Sequence, residues 1–194
     1  MPRPREFDSS VALERAMQVF WSRGYEAASL DELCDAMALS RSSLYAAFGD
    51  KRALLLRALE HYSGRGSERI AKNLDSGKPI RQALADLLDE FIAAIVAGPG
   101  RRGCFIGNCA AELARDDHEA MAILRAAIER NESYFRGALE QAQQRGEIRS
   151  ETDVAALARF LTASIQGLRL VGKAKPDRAA LHDVAATMLR CLDS

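Results

Sequence analysis

The chain has 194 residues, with 27 Lys and Arg against 27 Asp and Glu, so its formal net charge is zero. This balance excludes a general cationic attraction to nucleic acid or to an anionic membrane, and any such contact must be local. The apolar run at 91–97 is too short to cross a bilayer, and the N-terminus has no apolar segment of signal-peptide type. We therefore expect a cytoplasmic protein with four scattered, reduced cysteines and no disulfide framework or zinc site.

The first four predicted elements are helices, since the sequence is rich in Ala, Leu, Arg and Glu and poor in β-branched clusters. Apolar residues at three- and four-residue spacing predict the first helix from about residue 9 to residue 23. Ser29 and Glu32 form a capping box that begins the second helix. Ser40 caps a third helix of barely two turns, and Asp50 caps a long fourth helix that begins "KRALLLRAL".

Gly64 and Gly66 fall inside or near the end of the fourth helix, where each costs about 1 kcal/mol relative to alanine. They predict a weak point in that helix. The Gly and Pro content of residues 76–79 and 97–103 predicts loops. Further helices are predicted near residues 80–97, 104–115, 118–145, 152–173 and 177–192, so the fold class is all-α.

Residues 29–54, "SLDELCDAMALSRSSLYAAFGDKRAL", fit a helix-turn-helix, whose second short helix can enter the DNA major groove. The segment resembles the N-terminal domain of the TetR-like transcriptional regulators at Ser29, Leu33, Leu39, Ser40, Leu44, Tyr45, Phe48, Lys51 and Leu54. The family's turn glycine is replaced by Ala38, which lacks glycine's tolerance of positive φ.

The resemblance extends over residues 8–62 and implies the domain organisation. A helix-turn-helix DNA-binding domain is expected at residues 1–49, with a connecting helix to about residue 62. An effector-binding and dimerisation domain is expected at residues 63–194, for about nine helices in all.

The candidate DNA contacts lie on and beside the third helix. Arg41 and Ser42 follow its cap, and arginine can bond the O6 and N7 of guanine in bidentate fashion. Ser43 is expected at a base edge or a phosphate. The resemblance implies a phosphate or base contact for Tyr45, and a phosphate contact that positions without specifying for Lys51. The predicted DNA-binding residues are Ser29, Ser40, Arg41, Ser42, Ser43, Tyr45 and Lys51. Alternatively, the first two serines act only as helix caps.

The last two predicted helices are the candidates for a dimer interface, because a reader of this kind works as a twofold dimer. Each helix carries an apolar stripe, and the resemblance implies a four-helix contact. The predicted interface residues are Leu157, Leu161, Ile165, Leu168, Leu181, Val184 and Met188. The alternative is that both stripes belong to the chain's own core.

The middle helices are expected to enclose a pocket for a small-molecule effector of unreadable chemistry. The candidate effector or sensor residues are Cys104, Asn108, Cys109, Glu112, Phe91, Tyr134 and Gln166.

Cys104 follows Arg101 and Arg102 at the first turn of a predicted helix, and cations and a helix N-terminus both favour a thiolate. It is a candidate sensor of oxidants or electrophiles, although burial is the commoner outcome for a free cysteine. A disulfide with Cys109 is disfavoured, because α-carbons five helical residues apart are separated by roughly 8 to 9 Å.

These observations predict a ligand-responsive transcriptional regulator, in this family most often a repressor, whose homodimer binds a palindromic operator in double-stranded DNA. They predict no cofactor, metal, catalytic residue or membrane partner. Two rival interpretations are a small helical thiol enzyme, with Cys104 as nucleophile and His61, His118 or His182 as base, and a helical adaptor without DNA affinity.

Overall fold

The structure is a computed structural model that describes residues 8–113 and 117–193, except for the side chains of residues 99 and 100. In this part of the chain there are nine α-helices, one short 3-10 helix at Pro99–Arg102 and no strand, which confirms the all-α prediction. The helices are α1 Ser9–Arg23, α2 Leu30–Met37, α3 Arg41–Phe48, α4 Lys51–Leu74, α5 Ile80–Ala97, α6 Phe105–Glu112, α7 His118–Gln144, α8 Val154–Ala174 and α9 Arg178–Arg190.

Side-chain caps begin the helices of the N-terminal cluster, as predicted. The Ser29 hydroxyl accepts from the Glu32 amide at 3.1 Å, while the Glu32 carboxylate accepts from the Ser29 amide at 3.1 Å. Ser40 accepts from the amide of residue 43 at 3.1 Å, and Asp50 from that of residue 53 at 2.7 Å. Each bond satisfies an amide that the first helical turn leaves without a partner, so the caps fix where α2, α3 and α4 begin.

The turn between α2 and α3 keeps its left-handed geometry without glycine. Ala38 has φ 55° and ψ 42°, and it is the one residue other than glycine with positive φ in the described ranges. The Leu39 amide donates to the Cys34 carbonyl at 3.0 Å, which closes the turn. A left-handed alanine costs about 1 to 2 kcal/mol, and the packed helices on both sides hold it there.

Helix α4 runs unbroken from Lys51 to Leu74 and connects the two halves of the molecule. It passes through Gly64 and Gly66 without interruption, and a Cβ at either glycine would meet nothing within 4 Å. The two glycines therefore lower the helix propensity of α4 without breaking it.

Two hydrophobic cores occupy the two halves. The C-terminal core is formed by α5, α7, α8 and α9 with the end of α4. The N-terminal core joins α1 to α4 but also takes in α6 and the first turns of α7, through Cys104, Phe105, Ile106, Cys109, Leu124 and Ala127. Helix α6 thus packs with the helix-turn-helix, although 30 residues of chain, 75–104, separate it from α4.

The structure corrects the predicted dimer interface. Six of its seven residues are buried in the chain's own C-terminal core, namely Leu157, Leu161, Ile165, Leu168, Leu181 and Met188. Only Val184 is exposed, at 44%. The reason is that α8 is apolar on two sides, and the stripe of larger residues faces inward, where it removes more apolar surface from water.

The outer side of α8 carries a second stripe at four- and three-residue spacing. All of its members are exposed: Ala156, Phe160, Ala163, Gly167, Leu170 and Ala174. By length and composition α8 would also suit a membrane span, but core helices of soluble proteins pass the same test. The division of its apolar residues between a core face and an outer stripe fits a helix that packs on both sides.

Candidate nucleic-acid interface and effector cavities

Helix α3 presents one face outward and is held from behind by the other. Leu44 and Phe48 are buried, at 0% and 4% exposure, between α3 and the neighbouring helices. Arg41, Ser42 and Tyr45 are exposed, with Tyr45 at 48%. A short helix with a buried apolar face and an exposed face carrying a cation and hydroxyl groups has the geometry needed to lie in a major groove.

Arg41 is paired with an acid that sequence reasoning missed. Its guanidinium donates to both carboxylate oxygens of Asp31 on α2, at 2.7 and 2.8 Å, and these hydrogen bonds raise the pKa of Arg41. Both side chains are more than half exposed, so solvent screens the pair and a base or phosphate can replace Asp31. The two residues are ten positions apart on different helices, and no sequence pattern links them.

The serine hydroxyls at the start of α3 bond one another. Ser40 Oγ lies 2.9 Å from both Ser42 Oγ and Ser43 Oγ, and Ser43 is half-buried. Ser29, at the start of α2, is exposed and engaged in its capping box. Ser29 and Ser40 therefore serve as caps in the structure, and their contacts with DNA stay predictions.

Lys51 is the first residue of α4, and its side chain extends to the turn between α1 and α2. Its Nζ donates to the carbonyl of Glu26 at 3.3 Å and lies 4.7 Å from the centroid of the Tyr25 ring. An ammonium group has three donors, so donors remain for a phosphate oxygen. The position agrees with the phosphate contact that the resemblance implies, which stays a prediction.

An ion pair joins the first turn of α4 to the start of α7. Arg52 donates to both carboxylate oxygens of Asp117, at 2.6 and 3.1 Å, and to Glu119 at 2.8 Å. The hydrogen bonds from Arg52 lower the pKa of Asp117, and the same contacts raise the pKa of Arg52. Helix α4, which follows α3, is thereby tied to the C-terminal half.

Glu112 makes a second tie between the halves. Its carboxylate, at the end of α6, accepts from the Glu26 amide at 2.9 Å. Gly24 has φ 85°, a backbone conformation that favours glycine, and a Cβ at this position would lie 2.8 Å from the Glu112 carboxylate, which would have to move. Glu112 was predicted as an effector contact, and in the structure it secures α6 against the turn between α1 and α2.

Two cavities lie where the helix-turn-helix meets the C-terminal helices. The larger, of about 580 Å³, is bounded by α1, α6 and α8. The smaller, of about 390 Å³, is bounded by α1 and by α4 to α8. Six of the seven predicted effector residues line one or both cavities: Phe91, Cys104, Asn108, Cys109, Glu112 and Gln166. Tyr134 lines neither, because it is on the outer face of α7, where it is 38% exposed.

Cys104 forms part of the wall shared by both cavities. It is the N-cap residue of α6, is 6% exposed, and its Sγ accepts from the Tyr62 hydroxyl at 3.9 Å. All four cysteines are free thiols, and burial raises the pKa of Cys109 to about 12. The His61 ring is hydrogen-bonded to Glu14 at 2.9 Å, whereas the contact made by the Cys104 thiol is with Tyr62.

Known families and relatives match this arrangement along nearly the whole chain. A family model described as bacterial regulatory proteins, tetR family, matches residues 12–58, and one described as tetracyclin repressor-like, C-terminal domain, matches residues 81–188. The HTH-type transcriptional repressor ComR of Escherichia coli is 33% identical, over 97% of this chain and 90% of ComR. The uncharacterized HTH-type transcriptional regulator YezE of Bacillus subtilis is 32% identical over the full length of both chains.

A solved structure has the same fold at higher identity. A cysteine mutant of the TetR family transcriptional regulator CifR, complexed with 26 bp double-strand operator DNA, superposes with a TM-score of 0.87. It is 36% identical, and the alignment covers 97% of this chain and 98% of CifR. Fold, sequence and both family models therefore agree over the two halves of the molecule.

Proposed function

This chain belongs to the TetR family of bacterial transcriptional regulators, which bind DNA and are not enzymes, and from that membership we propose that it is a repressor released by an effector. Its homodimer reads a palindromic operator through two copies of α3. We assign DNA reading to residues 1–49, connection to residues up to about 62, and effector binding and dimerisation to residues 63–194.

One observation carries the proposal: Arg41, Ser42 and Tyr45 form an outward surface on a helix whose Leu44 and Phe48 are fixed in the core. The CifR complex supports it, because that relative is bound to operator DNA and shares the fold at 36% identity. The chain carries no net charge, so the contact depends on these placed groups rather than on a general cationic field.

We assign the dimer contact to the outer stripe of α8 together with the neighbouring outer face of α9. Phe160, Leu170 and Val171 are exposed at 42%, 66% and 56% on α8, and Val184 is exposed at 44% on α9. Exposed apolar residues repeated along a helix mark a packing surface, and the small residues between them permit close approach of a second helix. A twofold arrangement of α8 and α9 covers both stripes at once.

The position of the cavities supports control of DNA binding by a bound ligand. Both cavities have walls from α1, which belongs to the helix-turn-helix, and from α8, which belongs to the C-terminal half. A ligand that fits one arrangement of these helices better than another shifts the population between them. A coupling free energy of about 1 to 3 kcal/mol is enough to change operator affinity about 5- to 150-fold.

A second candidate trigger is chemical modification of Cys104, favoured by its position in the wall of both cavities. Addition of a group to the sulfur of this buried residue would need space from a cavity and would disturb the contact with Tyr62. We place the protein in the cytoplasm, where chromosomal DNA and reduced thiols coexist.

The test is binding of the purified protein to DNA from its own upstream region, measured by fluorescence anisotropy at fixed salt. Arg41→Ala is expected to lower the affinity for that DNA by a factor at least about five times larger than the factor by which it lowers the affinity for an unrelated duplex. Arg125→Ala, which removes an exposed arginine from α7, is the matched control and should change nothing. Equal effects of the two substitutions, or no binding by the wild type at low salt, would overturn the proposal.

A further inference from the structure

The smaller cavity contains an unusual charge arrangement. Three arginines line it, Arg65, Arg69 and Arg169, against one carboxylate, that of Glu14. Glu14 is fully engaged, since its oxygens accept from Arg65 at 2.5 Å, from Gln18 at 2.8 Å and from the His61 ring at 2.9 Å. Arg69 and Arg169 are therefore left with no carboxylate in the cavity wall.

The two remaining arginines converge on one aromatic ring. The guanidinium carbons of Arg69 and Arg169 lie 4.8 and 5.3 Å from the centroid of the Phe91 ring. Among the described residues, no carboxylate oxygen lies within 4.0 Å of either guanidinium. Although Arg69 is exposed on one side, desolvation by the residues around it and the neighbouring charge of Arg169 lower its pKa, and Glu90 opposes this shift from beyond 4.0 Å.

Within the described residues, the hydrogen bonds of Arg169 go to neutral oxygen atoms. It donates to the Tyr62 hydroxyl at 2.6 Å and to the Gly103 carbonyl at 3.3 Å. Burial raises the pKa of Tyr62 to about 12, so at neutral pH the phenol is protonated and supplies no negative charge. Among the described residues, two cations thus face one cavity without a carboxylate partner.

The cavity wall also offers apolar surface. Met17, Trp21, Ile70 and Phe91 provide aliphatic and aromatic contacts. Within the described part of the chain, the Trp21 indole Nε1 is buried without a hydrogen-bond partner. A volume of about 390 Å³ lies in the range of small-molecule sites, which combine an apolar wall with a few convergent polar groups.

We propose that this cavity binds an organic carboxylate, with its charged head between Arg69 and Arg169 and its apolar body against Trp21 and Phe91. Arginine is suited to this role because its planar fork of donors matches a carboxylate in bidentate geometry. Arg69 is exposed and Arg169 half-buried, so the ligand enters past Arg69. The inference deepens the proposed function, since it names the chemical class of the effector.

Ligand binding at this point acts on the parts that control DNA reading. Arg69 is on α4, Arg169 on α8 and Trp21 on α1, so one carboxylate contacts the connecting helix, the C-terminal half and the helix-turn-helix together. A carboxylate between the two cations offsets part of their mutual repulsion and attracts both, which draws α4 and α8 towards the ligand.

The protein carries its own probe for the experiment, because Trp21 is the only tryptophan of the chain. Trp21 fluorescence of the full-length protein is titrated with benzoate, phenylacetate, 4-phenylbutyrate and octanoate, and in parallel with the corresponding primary amides. Each amide keeps the apolar body but lacks the charge. At least one carboxylate is expected to give saturable quenching, with an affinity at least about tenfold higher than that of its amide.

Variants separate the arginine pair from general effects on the fold. Arg69→Met and Arg169→Met should each weaken the binding of that carboxylate by at least about tenfold, while Arg169→Lys, which retains a cation, should lose less. Arg125→Met, outside the cavity wall, should bind as the wild type does. Far-ultraviolet circular dichroism and melting curves confirm that each variant is folded.

Failure of this inference is distinguishable from failure of the proposed function. The anion site would be overturned if the amides bound as tightly as the carboxylates, or if no carboxylate quenched the fluorescence. Operator binding by the same preparation would show that the proposed regulatory function still holds. Tighter binding of phenyl phosphate than of any carboxylate would overturn the carboxylate assignment. Release of operator DNA by a binding carboxylate, and not by its amide, is the expected functional result.

Discussion

The substitution Ala38→Gly tests the physical account of the helix-turn-helix directly. Ala38 has φ 55°, a conformation that costs an alanine about 1 to 2 kcal/mol and a glycine almost nothing. Its methyl group is exposed, so its removal loses no buried contact. Glycine also has more conformational freedom in the unfolded chain, and this lowers the free energy of unfolding by about 0.5 to 1 kcal/mol. The expected net gain in the free energy of unfolding is about 0.5 to 1 kcal/mol.

For a chain of this length such a gain raises the melting temperature by roughly 1 to 4 °C. The measurement is urea unfolding followed by circular dichroism, with thermal melting as a second readout. Ala46→Gly is the matched control, because Ala46 is also exposed but lies inside α3, where glycine is expected to destabilise by about 0.5 to 1 kcal/mol. Opposite signs for the two substitutions are the prediction, and destabilisation by both would refute the reasoning.

Three further predictions concern DNA, the dimer and the thiol. Lys51→Ala should weaken binding to all DNA sequences alike and reduce the salt slope of the affinity by about one unit, and an unchanged slope would exclude a phosphate contact. Leu170→Glu should convert the dimer to monomer in sedimentation and reduce operator affinity, whereas Ile128→Glu, at an exposed apolar residue of α7, should leave both unchanged, and a dimeric Leu170→Glu would contradict the assigned interface. Cys104→Ser should keep release by a non-covalent ligand and lose any release by hydrogen peroxide, so peroxide release of the variant would exclude this thiol as a trigger.

Local hydrogen bonds made the N-terminal helices predictable from the sequence. The Ser29–Glu32 capping box, the Ser40 cap and the Asp50 cap depend on residues within three positions of one another, and the structure confirms all of them. Alanine at position 38 does not by itself indicate a left-handed turn, because that geometry is imposed by the packing of α2 against α3 rather than by the residue.

The dimer stripe shows why periodicity alone failed on α8. The helical period correctly identified Leu157, Leu161 and Ile165 as one face, but it gave no indication of which partner covers that face. The outer stripe, which includes Ala163 and Gly167, has a similar spacing but smaller and less apolar side chains, so the sequence pattern does not single it out.

The pairing of the charged side chains could not be predicted from the sequence, because the paired residues are far apart in the chain. Arg41 and Asp31 meet across a turn, and Arg69 and Arg169 meet across 100 residues of chain over the ring of Phe91. Nothing in the local sequence distinguishes these arginines from the others, and only the packing of α5 against both α4 and α8 brings the second pair together.

The packing of α6 into the N-terminal core has a consequence for how this molecule can be divided. A fragment that stops at residue 62 would lack Phe105, Ile106 and Cys109, and the apolar surface that they cover on α1 and α4 would be open to water. Such a truncated fragment should expose an apolar, aggregation-prone surface and should not fold as an independent DNA-binding domain. Fusions and chimaeras of this protein should therefore exchange α6 together with the helix-turn-helix, since these two segments form one cooperative unit although they are far apart in the gene.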